Sequence, residues 1–314
     1  MGRLILRRLG ATIPVLLLVT AGVFSLLHLT PGDPIDAMMA ESQDATAKAA
    51  LRAELGLDRP IAVQYAAWVG RLLRGDLGRS IRNGEPVIEN VGRRLRPSLQ
   101  LASLAMAISV LVAFPVGLLS AFRRRTAVDR AGTTFALFGI CMPNFLLALL
   151  LIFVFGVTLR WLPISGYVDP LEEPWDGMRS LILPAVTLGL ALGAVITRTL
   201  RSSLLEALTE DYVRTARAKG MAEWRILRRH VLKNALLPVV TVLGLQLGTL
   251  IGGAVITERV FAWTGMGALF QNGLERVDPN PVMAFFLVTG ALAILFNLIA
   301  DLVYAALDPR IRLS

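Results

Sequence analysis

Six apolar runs, each long enough to cross a bilayer, leave this chain few folds to choose from. A helix needs about 20 predominantly apolar residues to span the hydrocarbon core. Residues 9–28, 98–122, 131–157, 181–199, 238–257 and 282–306 each supply such a stretch, the fourth being the shortest. The fold class this predicts is an all-α integral membrane protein with six transmembrane helices. Pro115 and Pro143 fall inside the second and third runs. They are expected as kinks, tolerated where neighbouring helices satisfy the freed carbonyl.

Composition agrees. The 314 residues are 55% hydrophobic and only 18% charged, against about 25% charged in a soluble domain. Mean hydropathy is +0.62, more than a soluble core requires. The net charge of +9 would point a soluble protein towards nucleic acid. Here the basic residues sit beside apolar runs, where they act as orientation signals, so membrane lipid is the expected neighbour and no nucleic-acid partner is expected. Arg3, Arg7 and Arg8 precede the first run. That run is too long for a signal-peptide core and has no small-x-small site before Pro31, so a retained helix is expected. Cys141 is the single cysteine, and His28 and His230 lie far apart. An internal disulfide is therefore excluded, and no metal site is expected.

Orientation follows from the short connections. Arg123, Arg124, Arg125 and Arg130 separate runs two and three; Arg201, Arg214, Arg217, Lys219, Arg225, Arg228, Arg229 and Lys233 separate runs four and five; Arg310 and Arg312 close the chain. The connection after run three instead carries Asp169, Glu172, Glu173 and Asp176, and the one after run five carries Glu258, Glu275 and Asp278. This alternation predicts both termini in the cytoplasm.

Three regions result: residues 1–29 (tail and first helix), 30–96 (an external helical insertion), and 97–314 (a five-helix core with a cytoplasmic loop at about 200–237). Within the insertion, Pro31-Gly32-Asp33-Pro34 reads as a turn, and 45–55 and 60–74 as short amphipathic helices. The second of these shows Ile61, Tyr65, Trp68 and Leu72 at near-helical spacing. Gly189 and Gly193 in run four, and Gly244, Gly248 and Gly252 in run five, recur every four residues. This spacing lets helix backbones approach closely in lipid. Asn297 and Asp301 share a face of run six; pairing of Asp301 with an arginine and a proton relay are both open readings. Gln246 carries the same ambiguity, and His28 is read as a local hydrogen-bonding residue.

None of the three lysines (Lys48, Lys219, Lys233) follows a glycine, so the chain has no phosphate-binding Gly-Lys-Ser/Thr loop. It also lacks Gly-x-Ser-x-Gly and His-Glu-x-x-His. A transport subunit is expected rather than an enzyme.

The segment from Glu206 to Pro238 is too polar and too long for a minimal turn between two spans. It is expected to form two short helices broken at Gly220, presented to a partner. Tyr212-Val-Arg-Thr-Ala-Arg-Ala-Lys-Gly220 followed by His230-Val-Leu-Lys-Asn-Ala-Leu-Leu-Pro238 resembles the cytoplasmic "EAA" loop of ABC-importer membrane subunits, specifically the dipeptide/oligopeptide/nickel permease family. Further matches run along nearly the whole chain: His28-Leu-Thr-Pro-Gly-Asp-Pro34, Gly75-Asp-Leu-Gly-Arg-Ser80, Met142-Pro-Asn-Phe145, Phe261-Ala-Trp-Thr-Gly-Met-Gly267 and Leu307-Asp-Pro-Arg-Ile-Arg312. Where the general motif has Glu-Ala-Ala, this chain has Arg214-Thr215-Ala216, and its proline comes late, at Pro238. Both departures resemble the peptide/nickel branch.

The resemblance implies a type I importer permease fold in a bacterial inner membrane. It implies a homologous second permease forming a heterodimer, two ATPase subunits that hold the ATP and Mg, and an external substrate-binding protein. Within the loop it assigns ATPase coupling to Arg214, Thr215, Ala216 and Gly220, flanked by Tyr212, Lys219 and Glu223. The insertion at 30–96 is expected near the binding protein or as a lid over the spans. The cargo implied is a di- or oligopeptide, with nickel or a metal chelate as the alternative. A proton-coupled carrier using Asp301 is the reading from a different class, but the interrupted repeats it needs are not seen in the sequence.

Overall fold

The computed structural model describes residues 2–29, 46 and 58–307. In chain order the helices are α1 (Gly2–Leu29), α2 (Ile61–Leu72), α3 (Val87–Phe122), α4 (Ala127–Cys141), α5 (Asn144–Leu151), α6 (Pro174–Ala207), α7 (Asp211–Ala218), α8 (Glu223–Ile226), α9 (Leu232–Gly253), α10 (Val255–Val260), α11 (Met266–Glu275) and α12 (Pro279–Leu307). Two π-helical turns, Ile152–Thr158 and Leu227–Val231, continue α5 and α8. Among the described residues the only extended pairing is one isolated bridge between Arg79 and Pro86.

Among the described residues, four helices are long and apolar enough to cross a membrane: α3, α6, the continuous Glu223–Gly248 stretch, and α12. The bent pair Ala127–Cys141 and Asn144–Thr158 makes a fifth when its two halves are counted as one span. The expected first span lies within α1, whose described apolar stretch is Thr12–Ser25.

Three of the expected spans are revised. The third is not one kinked helix: its halves meet at 106°. Proline disfavours the helical region for its predecessor and has no N–H to continue the ladder. Met142 is accordingly extended, and Pro143 becomes the cap of α5. Pro115, by contrast, sits in an unbroken α3. The fourth span, shortest in the sequence, is a 34-residue helix and the most buried of the spans. Its apolar middle is packed inside the protein, whereas Trp175, Asp176 and Glu206 towards its ends are exposed. The fifth ends at Gly253, and residues 255–257 belong to the separate helix α10.

The chain forms two compact units. One is drawn from Met1–Ser98 and Thr264–Leu292. In it Trp68 of α2 is buried with Val23 and Phe24 of α1 and Met283 of α12, with Tyr65 and Leu72 packed around them. The Tyr65 hydroxyl bonds the Thr20 hydroxyl at 2.8 Å. Ile61, the fourth member of the apolar series, is exposed. The Gly75-to-Ser80 motif is a turn fastened to the start of α12. Ser80 donates to the buried Asp278 at 2.5 Å, and Asn280 donates to the Arg79 carbonyl at 2.6 Å. The turn at Pro31–Pro34 and the helix expected at 45–55 lie outside the described residues.

The other unit is drawn from Leu99–Trp263 and Ala293–Ser314. Here α6 is the central helix, packed by α4, α5 and α9 and approached closely by α3. A Cβ added at Gly189 would lie 2.8 Å from the Ala105 carbonyl oxygen, and one at Gly193 would lie 3.3 Å from that of Ser109. On α9, a Cβ at Gly244 would overlap that of Ala300, and one at Gly248 would meet Ala293 at 3.0 Å. Gly252 has nothing within 4 Å of the same position.

Candidate functional site

The elbow between α6 and α9 is part of the folded core. Helix α6 stops at Ala207, three residues turn, and α7 starts at Asp211. The apolar residues of α7 are few, but their spacing matters: Val213 and Ala216, three apart, share one face. Both are buried, as are Ile226 and Val231 further on. They join Ile196, Leu200 and Leu204 of α6, Ala113 and Ala121 of α3, and Ala235 and Val239 of α9 in a single apolar cluster. Burying a valine fully contributes about 1.5–3 kcal/mol, so α7 is held firmly against the spans.

The expected break at Gly220 takes a definite form. Helix α7 ends at Ala218, Lys219 caps it, and Gly220 adopts φ +73°. The Gly220 N–H bonds the Arg217 carbonyl (2.9 Å) and the Met221 N–H bonds that of Ala216 (3.2 Å). This is the Schellman arrangement, which requires a left-handed residue and favours glycine there. Across the turn, Arg217 grips Glu223 side-on, Nε to Oε1 at 2.6 Å and Nη2 to Oε2 at 3.2 Å. The hydrogen bond to this carboxylate raises the Arg217 guanidinium above its ordinary value. Both side chains are well exposed, so the pair is a tether worth little in free energy. Arg217→Gln is expected to cost at most about 1 kcal/mol, less in high salt. Thermal unfolding at two ionic strengths checks this.

The residues assigned from the sequence divide between two faces. Arg214, Thr215, Lys219 and Gly220 are exposed, whereas Ala216 points into the apolar cluster. Arg214 pairs with Asp211 at 3.0 Å, and the Thr215 hydroxyl donates to the Asp211 carbonyl at 2.9 Å. Tyr212 is partly exposed and accepts a hydrogen bond from Asn234 of α9 at 3.0 Å. Glu223 opens α8. The second elbow helix is not separate: through the π-turn at 227–231 it runs directly into α9. Helix α8 is thus continuous with the α9 span, and the turn at residues 219–222 joins α7 to it.

Sequence reasoning did not identify the pair that fixes the base of the elbow. Asp129, in the first turn of α4, accepts from Arg201 Nε at 2.7 Å and Nη2 at 3.0 Å, and from the Arg125 N–H at 2.9 Å. Asp129 is 6% exposed and the Arg201 side chain 27%. Among the described residues, no group of three or more His, Cys, Asp or Glu side chains is arranged to hold a metal.

Family models for the binding-protein-dependent transport system inner membrane component match residues 113–313, and the corresponding N-terminal component matches 1–102. The chain belongs to this family. As a member, the permease is a multi-pass inner-membrane transport component. It is 44% identical to a Brucella suis biovar 1 protein named as a peptide permease, over 99% of each chain. It is 41% identical to the glutathione transport system permease protein of Salmonella typhi, over 98% of each. Among solved structures, the inward-facing MetNI methionine ABC transporter matches with a TM-score of 0.57 at 20% identity, covering 70% of this permease and 96% of that chain. An amino acid ABC transporter solved with histidines matches at 0.53 and 14% identity, covering 69% and 94%. The fold is that of the ABC importer permeases.

Proposed function

We propose that this permease is one of two homologous membrane subunits of an ATP-driven, binding-protein-dependent importer of di- and oligopeptides. Two separate ATPase subunits hold the ATP and Mg. They engage α7 through Tyr212, Arg214, Thr215 and Lys219, with Ala216 seating the helix and Gly220 and Glu223 shaping its exit. Both termini and the elbow face the cytoplasm, in keeping with the arginines that crowd these connections. The observation that carries the reading is the seating of α7: its inner face is locked into the span core, its outer face is exposed, and the turn at Gly220 joins it to α8, which runs on into α9. A short rigid helix so placed transmits a rigid-body movement of an attached partner. The peptide cargo is supported by relatives named for peptide and glutathione transport.

The test is reconstitution of the full complex in liposomes with its binding protein. Peptide uptake is expected to need ATP, and a Thr215→Cys variant is expected to cross-link to an ATPase subunit. Uptake of a nickel chelate but no peptide would overturn the cargo. Uptake driven by a proton gradient without ATP would overturn the mechanism.

Gly220→Val gives a sharper test of the elbow. No atom lies within 4 Å of the added Cβ, so the cost is backbone strain alone, about 1–2 kcal/mol for a left-handed residue. ATP hydrolysis is expected to persist in an assembled complex while uptake falls at least about tenfold. Gly220→Asn, which tolerates this conformation, is expected to retain most uptake. Full uptake by the valine variant would remove Gly220 from the coupling role.

A further inference from the structure

The outward side of the turn after α7 carries a feature that transport coupling does not explain. Trp224, Arg225, Arg228 and Arg229 line an open cleft of about 430 Å³. Trp224 is 68% exposed. The three arginines are also exposed, and none of them pairs with an acidic side chain among the described residues. Positions 225, 228 and 229 stand three and four residues apart, where like charges repel and destabilise a helix. Nearby Arg217 and Arg214 each have a carboxylate to answer them. Among the described residues nothing compensates the charge in the cleft, which suits it to an anion.

Its location specifies the kind of anion. On the opposite side Ile226 and Val231 are buried, and from Ala235 the chain is the continuous apolar stretch of a span. Ala235 lies six residues after Arg229, about 9 Å along a helix at 1.5 Å per residue. That is within reach of the headgroup layer for an arginine whose stem lies along the helix and whose guanidinium extends to water. Tryptophan beside arginine at this depth matches the preference of both for the membrane–water boundary. Guanidinium groups hold phosphate oxygens in a fork geometry.

We propose that this cleft binds the phosphate headgroup of an anionic phospholipid, anchoring the start of α9 to the bilayer surface. The inference goes beyond transport coupling and does not depend on the cargo.

The full permease complex in phosphatidylcholine nanodiscs doped with phosphatidylglycerol provides the test. Native mass spectrometry counts the lipids that remain after mild delipidation. The wild type is expected to retain phosphatidylglycerol in preference to phosphatidylcholine. An R225Q/R228Q/R229Q variant is expected to lose that preference at least about tenfold, with ATPase subunits bound as in the wild type. An R225K/R228K/R229K variant, which keeps the charge without the fork, is expected to fall between. This gives a reading even if the neutral variant does not fold. Three results would overturn the proposal: unchanged retention in the glutamine variant, loss of ATPase subunits with lipid still held (which would make the face a protein dock), or displacement of the lipid by millimolar inorganic phosphate.

Discussion

Asp129→Ala is expected to destabilise the permease by about 2–4 kcal/mol, far more than any surface ion pair would. The physical reason is what the substitution leaves behind. Arg201 would keep its charge on a largely buried side chain with the carboxylate that it pairs with removed, and the Arg125 N–H would lose its acceptor. The lower end of the usual 3–5 kcal/mol for breaking a buried pair applies, because Arg201 keeps some contact with water. Asp129→Asn preserves the shape and one acceptor, so it is expected to fall between. Arg201→Ala also removes the charge that would be stranded. In a double-mutant cycle on a purified complex, read by thermal unfolding, the double variant should therefore be destabilised by about 1–3 kcal/mol less than the sum of the single variants. Additive single effects would show that the pair does not hold α4 to α6. Since Arg201 stands six residues before the end of α6, loosening it is also expected to reduce uptake through the elbow that follows.

The pair illustrates what the sequence could and could not disclose. Asp129 and Arg201 are 72 residues apart, and nothing local marks either as the other's partner. Only the packing of α4 on α6 brings them together. The spans were legible because bilayer thickness sets a length that composition alone can report; among the described residues four helices meet it, or five with the bent pair, and the first run holds a shorter apolar stretch. The elbow was legible because its charges interrupt that pattern, and Gly220 because few other residues suit a left-handed helix exit. The Arg217–Glu223 tether was not legible: six residues apart is no helical neighbour spacing, and the contact exists only once the turn has reversed the chain. Pro143 was visible, but whether a proline kinks or breaks a span depends on whether neighbouring helices take up the freed carbonyl, which is a tertiary property. In α3 the helix continues through Pro115, whereas at Pro143 it breaks. The inward face of Ala216 was similarly hidden, since a motif names a residue without saying which way its helix is turned.

The repeated glycines lead to the second large effect, and they separate sites that the sequence treats as equivalent. Gly189→Leu is expected to cost about 3 kcal/mol or more, at the upper end for overpacking. The first added carbon already lies 2.8 Å from the Ala105 carbonyl oxygen and 2.9 Å from the Ile108 side chain. A backbone carbonyl in a helix cannot swing aside, so α3 and α6 would have to separate along their length. Even Gly189→Ala is expected to destabilise, although alanine is the better helix former by about 1 kcal/mol. Gly252→Ala should have the opposite sign, because nothing stands within 4 Å of its new methyl group and only the propensity gain remains. Thermal midpoints of the purified chain should thus fall by roughly 5 °C or more for Gly189→Leu and hold or rise slightly for Gly252→Ala. If both variants fell equally, the four-residue spacing itself, rather than the measured approach of α3 to α6, would be the controlling feature. If Gly252→Ala were stable alone but failed to assemble with the second permease, its open face would be assigned to that subunit.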